Sequence, residues 1–188
     1  NFATTVYGIS QTKIAGFEGF RHTVRPSLGV SFSPDFSDEQ WGYFREVEGD
    51  TTGRTYSIFE GGIVGGPTAG RSQSLNLSIN NSLEAKRVRR DTSGVKKEEN
   101  VRLIDNLSLS TNYNFAAERN KLGNLTANMR SNILNKISVN VNASFDFYQY
   151  DSLGIRTDEF LWTERRKPAL LQSFSVRASA NFSGGPRG

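Results

Sequence analysis

The stretch ISVNVNASFDF, residues 137–147, alternates between apolar and polar side chains without interruption. Successive side chains of a β-strand point to opposite faces, so this alternation predicts a strand with one apolar and one polar face. The apolar face carries Ile137, Val139, Val141, Ala143, Phe145 and Phe147. The polar face carries Ser138, Asn140, Asn142, Ser144 and Asp146.

Five other runs repeat this alternation: residues 23–33, 73–85, 103–115, 123–133 and 170–182. Each clean run covers about 9–11 residues, the length that a tilted strand needs to cross a bilayer. Strands of soluble sandwiches usually span only about 5–6 residues. The opening residues, up to Ser10, predict one more strand whose facing is ambiguous. We therefore expect an all-β fold, an antiparallel transmembrane β-barrel segment with about seven strands of a larger barrel.

The composition excludes several other classes of protein. The sequence has no Cys, which rules out disulfides and thiolate metal sites within it. Its net charge of +4 is too small to indicate nucleic-acid binding, so we expect no nucleic-acid partner. No apolar run approaches the roughly 20 residues of a membrane helix. The acidic residues between 35 and 50 lack the spacing of a Ca²⁺ loop, and we expect no metal site and no cofactor.

The connections between the runs give the strands a direction. Residues 35–71 and 149–168 predict long loops, whereas residues 134–136 predict a tight turn. Outer-membrane barrels keep short turns in the periplasm and long loops outside, so both long segments are expected to be extracellular. We interpret residues 1–188 as one partial barrel domain, because an open sheet edge is not tolerated in lipid and other strands must complete it.

Three residues disturb the alternation. Asn81 and Asp105 fall on the apolar side, which we expect to be tolerated because both lie toward inner strand ends, where the cost of a polar side chain is small. Pro26 cannot donate a backbone hydrogen bond, so a bulge or the start of a strand is expected there.

The two faces define the candidate site residues. We expect the following side chains to line a watery lumen: Arg25, Asn76, Asn80, Glu84, Asn112, Asn128, Arg130, Asn140, Asn142, Asp146 and Arg177. We expect these to face lipid: Leu28, Val30, Leu75, Leu77, Leu107, Leu109, Val139, Val141 and Val176. Arg side chains in such a lumen contact sugar or phosphate groups of a glycolipid, or they pair with Glu84, Asp146 or groups of a partner protein and only solvate the lumen; the sequence leaves both alternatives open.

Several stretches resemble the LptD family of outer-membrane lipopolysaccharide-assembly barrels, in its divergent Bacteroidetes-type branch. They are RHTVRPSLGVSFSPDF (21–36), WGYF (41–44), YSIFEGGIVGGPTAG (56–70) and LIDNLSLSTNYNFAAE (103–118). Their order is similar to the middle of that family's barrel.

The resemblance implies a barrel of the Gram-negative outer membrane that translocates lipopolysaccharide and inserts it into the outer leaflet. It implies as partners lipopolysaccharide, an LptE-like lipoprotein plug, outer-membrane lipids, and periplasmic Lpt bridge components that act through an N-terminal domain absent from this sequence. It implies no enzymatic activity. The residues agree, since the single His22 has no recognisable Ser and acid partners that would make a catalytic triad.

Two other functions remain open at this point. One is another outer-membrane barrel, a porin or nutrient transporter with a charged constriction. The other is an extracellular structural β-protein built from Asn/Ser-rich strands, which would show a fixed sequence period. The uneven spacing of the strand starts disfavours this second class.

Overall fold

The computed structural model describes residues 1–90, 96–133, 137–164 and 166–180. The predicted tight turn at 134–136 and the last two residues of the run 170–182 lie outside the described residues. The strands are β1 (Phe2–Ala3), β2 (Val6–Ser10), β3 (Phe17–Ser33), β4 (Phe44–Glu46), β5 (Thr55–Ser57), β6 (Ser72–Arg90), β7 (Lys96–Asn114), β8 (Leu125–Ile133), β9 (Ile137–Asp146), β10 (Tyr148–Tyr150), β11 (Arg156–Phe160) and β12 (Leu170–Ala180). A 3-10 turn at Glu39–Trp41 and the short helix α1 (Leu161–Glu164) lie in the loops.

One eight-stranded sheet contains all the long strands, in the order β1-β3-β6-β7-β8-β9-β12, with β2 also paired to β3. Every pairing in the sheet is antiparallel. The predicted all-β antiparallel fold is confirmed. Within the described residues the sheet is open, since β1 and β12 do not pair with each other. None of the described helices is long and apolar enough to cross a membrane.

The register between strands keeps the two kinds of side chain apart. Asn128 of β8 lies opposite Asn142 of β9, and Met129 lies opposite Val141. A slip of one residue would send every side chain to the other side of the sheet, so this register sorts the residues. We call the side that carries Asn128 and Asn142 the polar face, and the side that carries Met129 and Val141 the apolar face.

No second layer covers the apolar face within the described part of the chain. The buried apolar side chains are few: Ala85, Val101, Ala143, Tyr148 and Leu161. By contrast, Val30 is 69% exposed, Phe174 61% and Val176 52%. A soluble sheet buries its apolar face against another layer. A barrel wall instead presents that face to hydrocarbon, and this arrangement fits the exposed side chains.

β6 and β7 are longer than the sequence pattern predicted. Each has 19 residues, so the runs 73–85 and 103–115 were too short at the ends where Arg90 and Lys96 pair. The alternation stops there because both faces become charged: Arg87 lies opposite Glu99, and the Lys86 Nζ atom lies 2.7 Å from the Glu98 carboxylate. β6 and β7 thus remain paired beyond the alternating residues, where charged side chains lie on both faces.

The expectation for Asp105 was wrong. Between the pairs Asn81–Leu107 and Glu84–Arg102, β7 advances five residues while β6 advances three. These bulges change the facing of the extra residues, and the Asp105 carboxylate accepts a 2.7 Å hydrogen bond from Asn132, which lies on the polar face. The Asn81 amide stays on the apolar face and donates to the Leu107 carbonyl at 3.3 Å.

Pro26 does not mark a bulge or a strand start, contrary to expectation. It lies inside β3, in regular register with Ile79 of β6. Its carbonyl accepts a hydrogen bond from the Thr4 N–H at 3.2 Å, but it has no N–H to donate in return. β1 and β2 pair with β3 in one register, and the gap between them lies opposite Pro26. The missing N–H of the proline therefore interrupts the neighbouring strand and leaves β3 itself regular.

Candidate functional site

The polar face is a lattice of transverse rows, each made of residues that lie opposite one another on successive strands. Hydroxyl groups join β3 to β6, with Ser27 Oγ 2.8 Å from Ser78 Oγ and Ser31 Oγ 2.6 Å from Ser74 Oγ. Farther along the sheet, the Asn142 amide donates to Ser175 Oγ at 3.3 Å. Such groups donate and accept hydrogen bonds without a fixed charge.

The structure brings most of the predicted lumen residues together on this face. One row, which we call the central row, consists of Arg25, Asn80, Ser108, Asn128, Asn142 and Ser175. A second row contains Asn76 and Asn112, which lie opposite each other on β6 and β7. No sequence signal gave the alignment between strands, because register depends on pairing across turns.

A third row, which we call the arginine row, consists of Asn106, Arg130, Asn140 and Arg177. The Arg130 Nε atom donates to the Asn140 Oδ1 atom at 3.3 Å. A shallow cavity of about 290 Å³ lies here, lined by Asn106, Asn128, Met129, Arg130, Asn140 and Asn142.

The two predicted lumen carboxylates are already paired, and with other cations. Glu84 accepts from Arg21 Nε at 3.0 Å, and Arg102 Nε lies 3.6 Å from its other oxygen. Asp146 accepts from Arg156 at 2.7 Å. Among the described residues, three further polar-face arginines have no carboxylate within 4.0 Å: Arg25, Arg130 and Arg177. Pairing of these three arginines with Glu84 or Asp146 is therefore wrong, while pairing with groups of a partner protein stays a prediction.

Asp146 does not line an open lumen as predicted, because it is buried with only 1% of its surface exposed. Its carboxylate accepts hydrogen bonds from the Tyr148 N–H at 3.0 Å, the Tyr150 hydroxyl at 2.8 Å and Arg156. Burial, followed by the hydrogen bond to Asp146, raises the pKa of Tyr150 above its ordinary value of 10.0, so this hydroxyl remains a donor. Asp146 therefore anchors a loop.

That loop contains the β10–β11 hairpin, which packs against Asp146 at the end of β9 and against the loop between β7 and β8. The Leu122 N–H donates to the Tyr148 hydroxyl at 2.9 Å, and the Asn120 N–H donates to Asp158 at 2.6 Å. Arg156 lies 4.6 Å above the centre of the Tyr148 ring. Tyr148 is buried beneath this contact, with 2% of its surface exposed.

All nine predicted lipid-facing residues lie on the apolar face. Leu28 lies opposite Leu77, and Val30 lies opposite Leu75. The others occupy matching positions on later strands: Leu107, Leu109, Val139, Val141 and Val176. No group of three or more carboxylate or His side chains that could hold a metal ion occurs among the described residues.

The loop between β3 and β6 is closed by Asp35. The Asp35 carboxylate accepts hydrogen bonds from the backbone N–H groups of Ser37 and Gly70, each at 2.9 Å, and from the Ser37 hydroxyl. The Ser37 hydroxyl first, and then the two N–H groups, lower the pKa of Asp35 below its ordinary value of 3.8. Asp35 thus joins the two ends of a loop of some 37 residues.

This contact predicts how the loop responds to acid. A lowered pKa stabilises the closed loop above the ordinary pKa, and the contribution is lost as the pH falls through the lowered pKa. We expect the hydrogen-exchange protection of the Gly70 N–H to persist as the pH is lowered to the ordinary pKa of 3.8, and to fall only at lower pH. Asp35→Asn should lower the protection at neutral pH and remove this pH dependence. Loss of protection well above 3.8 in the wild type would contradict the assignment.

A single antiparallel sheet, polar on one face and apolar on an uncovered second face, is the wall of an outer-membrane β-barrel. Comparison with known families then identifies the chain: the family model described as LptD protein matches residues 1–148, and the chain belongs to the LptD family. No curated protein and no solved structure matches it. Proteins of this family are non-enzymatic transporter barrels of the Gram-negative outer membrane with a role in lipopolysaccharide assembly.

Proposed function

We propose that the described strands form part of the barrel wall along which lipopolysaccharide is translocated and inserted into the outer leaflet. The polar face contacts the saccharide, and the apolar face contacts outer-membrane lipids. The observation that carries the proposal is the register, which places the Asn, Ser and Arg side chains on one face and leaves the other face apolar and uncovered.

The chemistry of the polar face suits a saccharide. Asn amides and Ser hydroxyls form hydrogen bonds with sugar hydroxyls in either direction, and neither group carries a charge that would hold the sugar in place. Neighbouring rows repeat the same groups along the strands, with Asn80 and Asn142 in the central row and Asn140 in the arginine row. A glycolipid can therefore exchange one set of hydrogen bonds for the next as it moves.

The partners proposed for the parent protein follow from the family. They are lipopolysaccharide, an LptE-like lipoprotein plug and periplasmic Lpt bridge components. The stretches at 21–36 and 103–118 support membership of the Bacteroidetes-type branch. The free edge of β12 requires further strands, because unpaired backbone groups are not tolerated in lipid.

Site-specific crosslinking tests this function. A photo-crosslinking amino acid at Asn140, on the polar face, should trap lipopolysaccharide in living cells. The matched control at the next residue, Val139, lies on the apolar face at nearly the same depth and should trap phospholipid instead. Trapping of lipopolysaccharide from Val139 alone would contradict the proposal. Ion conductance of the purified parent barrel without any lipopolysaccharide crosslink from Asn140 would favour a porin.

A further inference from the structure

The arginine row holds two cations on a single line across the sheet. Arg130 of β8 and Arg177 of β12 both lie opposite Asn140 of β9, one from each side. Adjacent strands are about 4.8 Å apart, so the two backbone positions are separated by about 10 Å. The Arg130 guanidinium is directed toward Asn140, to which it donates at 3.3 Å.

The arginine row is the row that holds two unpaired cations, whereas the central row holds one, Arg25, which is also unpaired. Arg21 and Arg102 share Glu84, and Arg156 is neutralised by Asp146. Arg130 and Arg177 form no ion pair within the described residues. The nearby Asp105 is hydrogen-bonded to Asn132, in the next row inward. Two uncompensated guanidinium groups close together favour an anion between them, and guanidinium matches phosphate oxygens in charge and in geometry.

The surroundings indicate what kind of molecule carries the anion. Apart from Arg130 and Met129, the cavity beside the row is lined only by the amides of Asn106, Asn128, Asn140 and Asn142. Amide side chains match sugar hydroxyls. We propose that Arg130 and Arg177 form an anion-binding step that receives a phosphate group of a phosphorylated saccharide while the amides bind the adjoining sugar. This inference rests on the proposed function and specifies the part of the glycolipid that is recognised.

The test uses the full-length parent barrel with its plug protein in lipid vesicles, and a photo-crosslinker at Asn142, which lines the cavity. Lipopolysaccharide is supplied with its phosphates or after their removal. In the wild type we expect about tenfold more crosslinking with the phosphorylated form, since one lost charge-assisted contact corresponds to roughly that factor. Arg130→Gln/Arg177→Gln should lower crosslinking of the phosphorylated form to the level of the dephosphorylated form and leave the latter unchanged.

A matched control removes two cations that are paired. Arg21→Gln/Arg102→Gln loses the same charge from the same face but should retain the preference for phosphorylated lipopolysaccharide. If the double variant does not fold, Arg177→Gln alone, on the exposed strand β12, should still reduce the preference. Equal crosslinking of both forms in the wild type overturns the anion step and leaves the saccharide path intact. Crosslinks to the plug protein in place of glycolipid also overturn it, and no glycolipid crosslink from Asn140 or Asn142 rejects the proposed function itself.

Discussion

Val141→Arg is expected to destabilise the parent barrel by about 2–4 kcal/mol, the cost of a cation on the lipid face near the bilayer midplane. Val141 lies midway along the apolar side of β9 and faces Met129 on one neighbouring strand and Val176 on the other. No described carboxylate on that face can neutralise the new charge. The free energy of unfolding in lipid vesicles, measured by denaturant titration, checks the value.

Two control variants separate facing from depth. Asn142→Arg places the same side chain one residue away on the polar face, where water solvates it, and should change stability by no more than about 0.5 kcal/mol. Ile137→Arg, at the first residue of β9 on the same apolar face, should cost only about 0–1 kcal/mol because the cost falls toward the interface. Equal losses for Val141→Arg and Asn142→Arg would contradict the two-faced wall.

Asp146→Ala is expected to release the β10–β11 hairpin from the polar face. The carboxylate is buried, and its removal deprives Arg156, Tyr150 and the Tyr148 N–H of their acceptor. Removing one member of a buried ion pair costs about 3–5 kcal/mol. Since part of Arg156 reaches solvent, with 29% of its side chain exposed, we expect the lower end of that range. Hydrogen exchange of residues 148–160 should then accelerate by more than about 100-fold.

The hairpin offers a milder control. Asp158→Ala removes an exposed acceptor of the Asn120 N–H and should cost about 1 kcal/mol. Strands β8 and β9 should keep their protection in both variants, because their ladder does not involve the hairpin. Unchanged exchange in Asp146→Ala would show that Asp146 does not anchor the loop.

The facing of the strands was predictable from the sequence because it is a local property. In residues 137–147 the extended backbone directs successive side chains to opposite faces. Val139 and Asn140 were therefore assigned to opposite faces without knowledge of any partner strand. The same reasoning placed Leu75 and Val176 correctly on the apolar face. Antiparallel pairing then followed from the order of turns and loops.

The features that the sequence did not reveal depend on contacts between distant residues. The bulges in β7 re-aim Asp105 toward Asn132, 27 residues away. Asp146 continues the polar alternation, which predicts one more lumen residue, but Arg156 and Tyr150 donate hydrogen bonds to its carboxylate and bury it. The extension of β6 and β7 was missed for another reason: charged residues on both faces carry no alternation, although the strands continue.

Cysteine accessibility along β9 tests the central claim most directly. The 188 residues contain no native Cys, so no other thiol of this segment reacts when a single Cys is introduced between Ile137 and Asp146. In lipid vesicles, Asn140→Cys and Asn142→Cys should react with a water-soluble thiol reagent. Val139→Cys and Val141→Cys should resist it, and a fluorophore attached there should be quenched by brominated lipid. Equal reactivity at all four positions, or quenching from the Asn positions, would contradict a barrel wall with one face in lipid and the other in water.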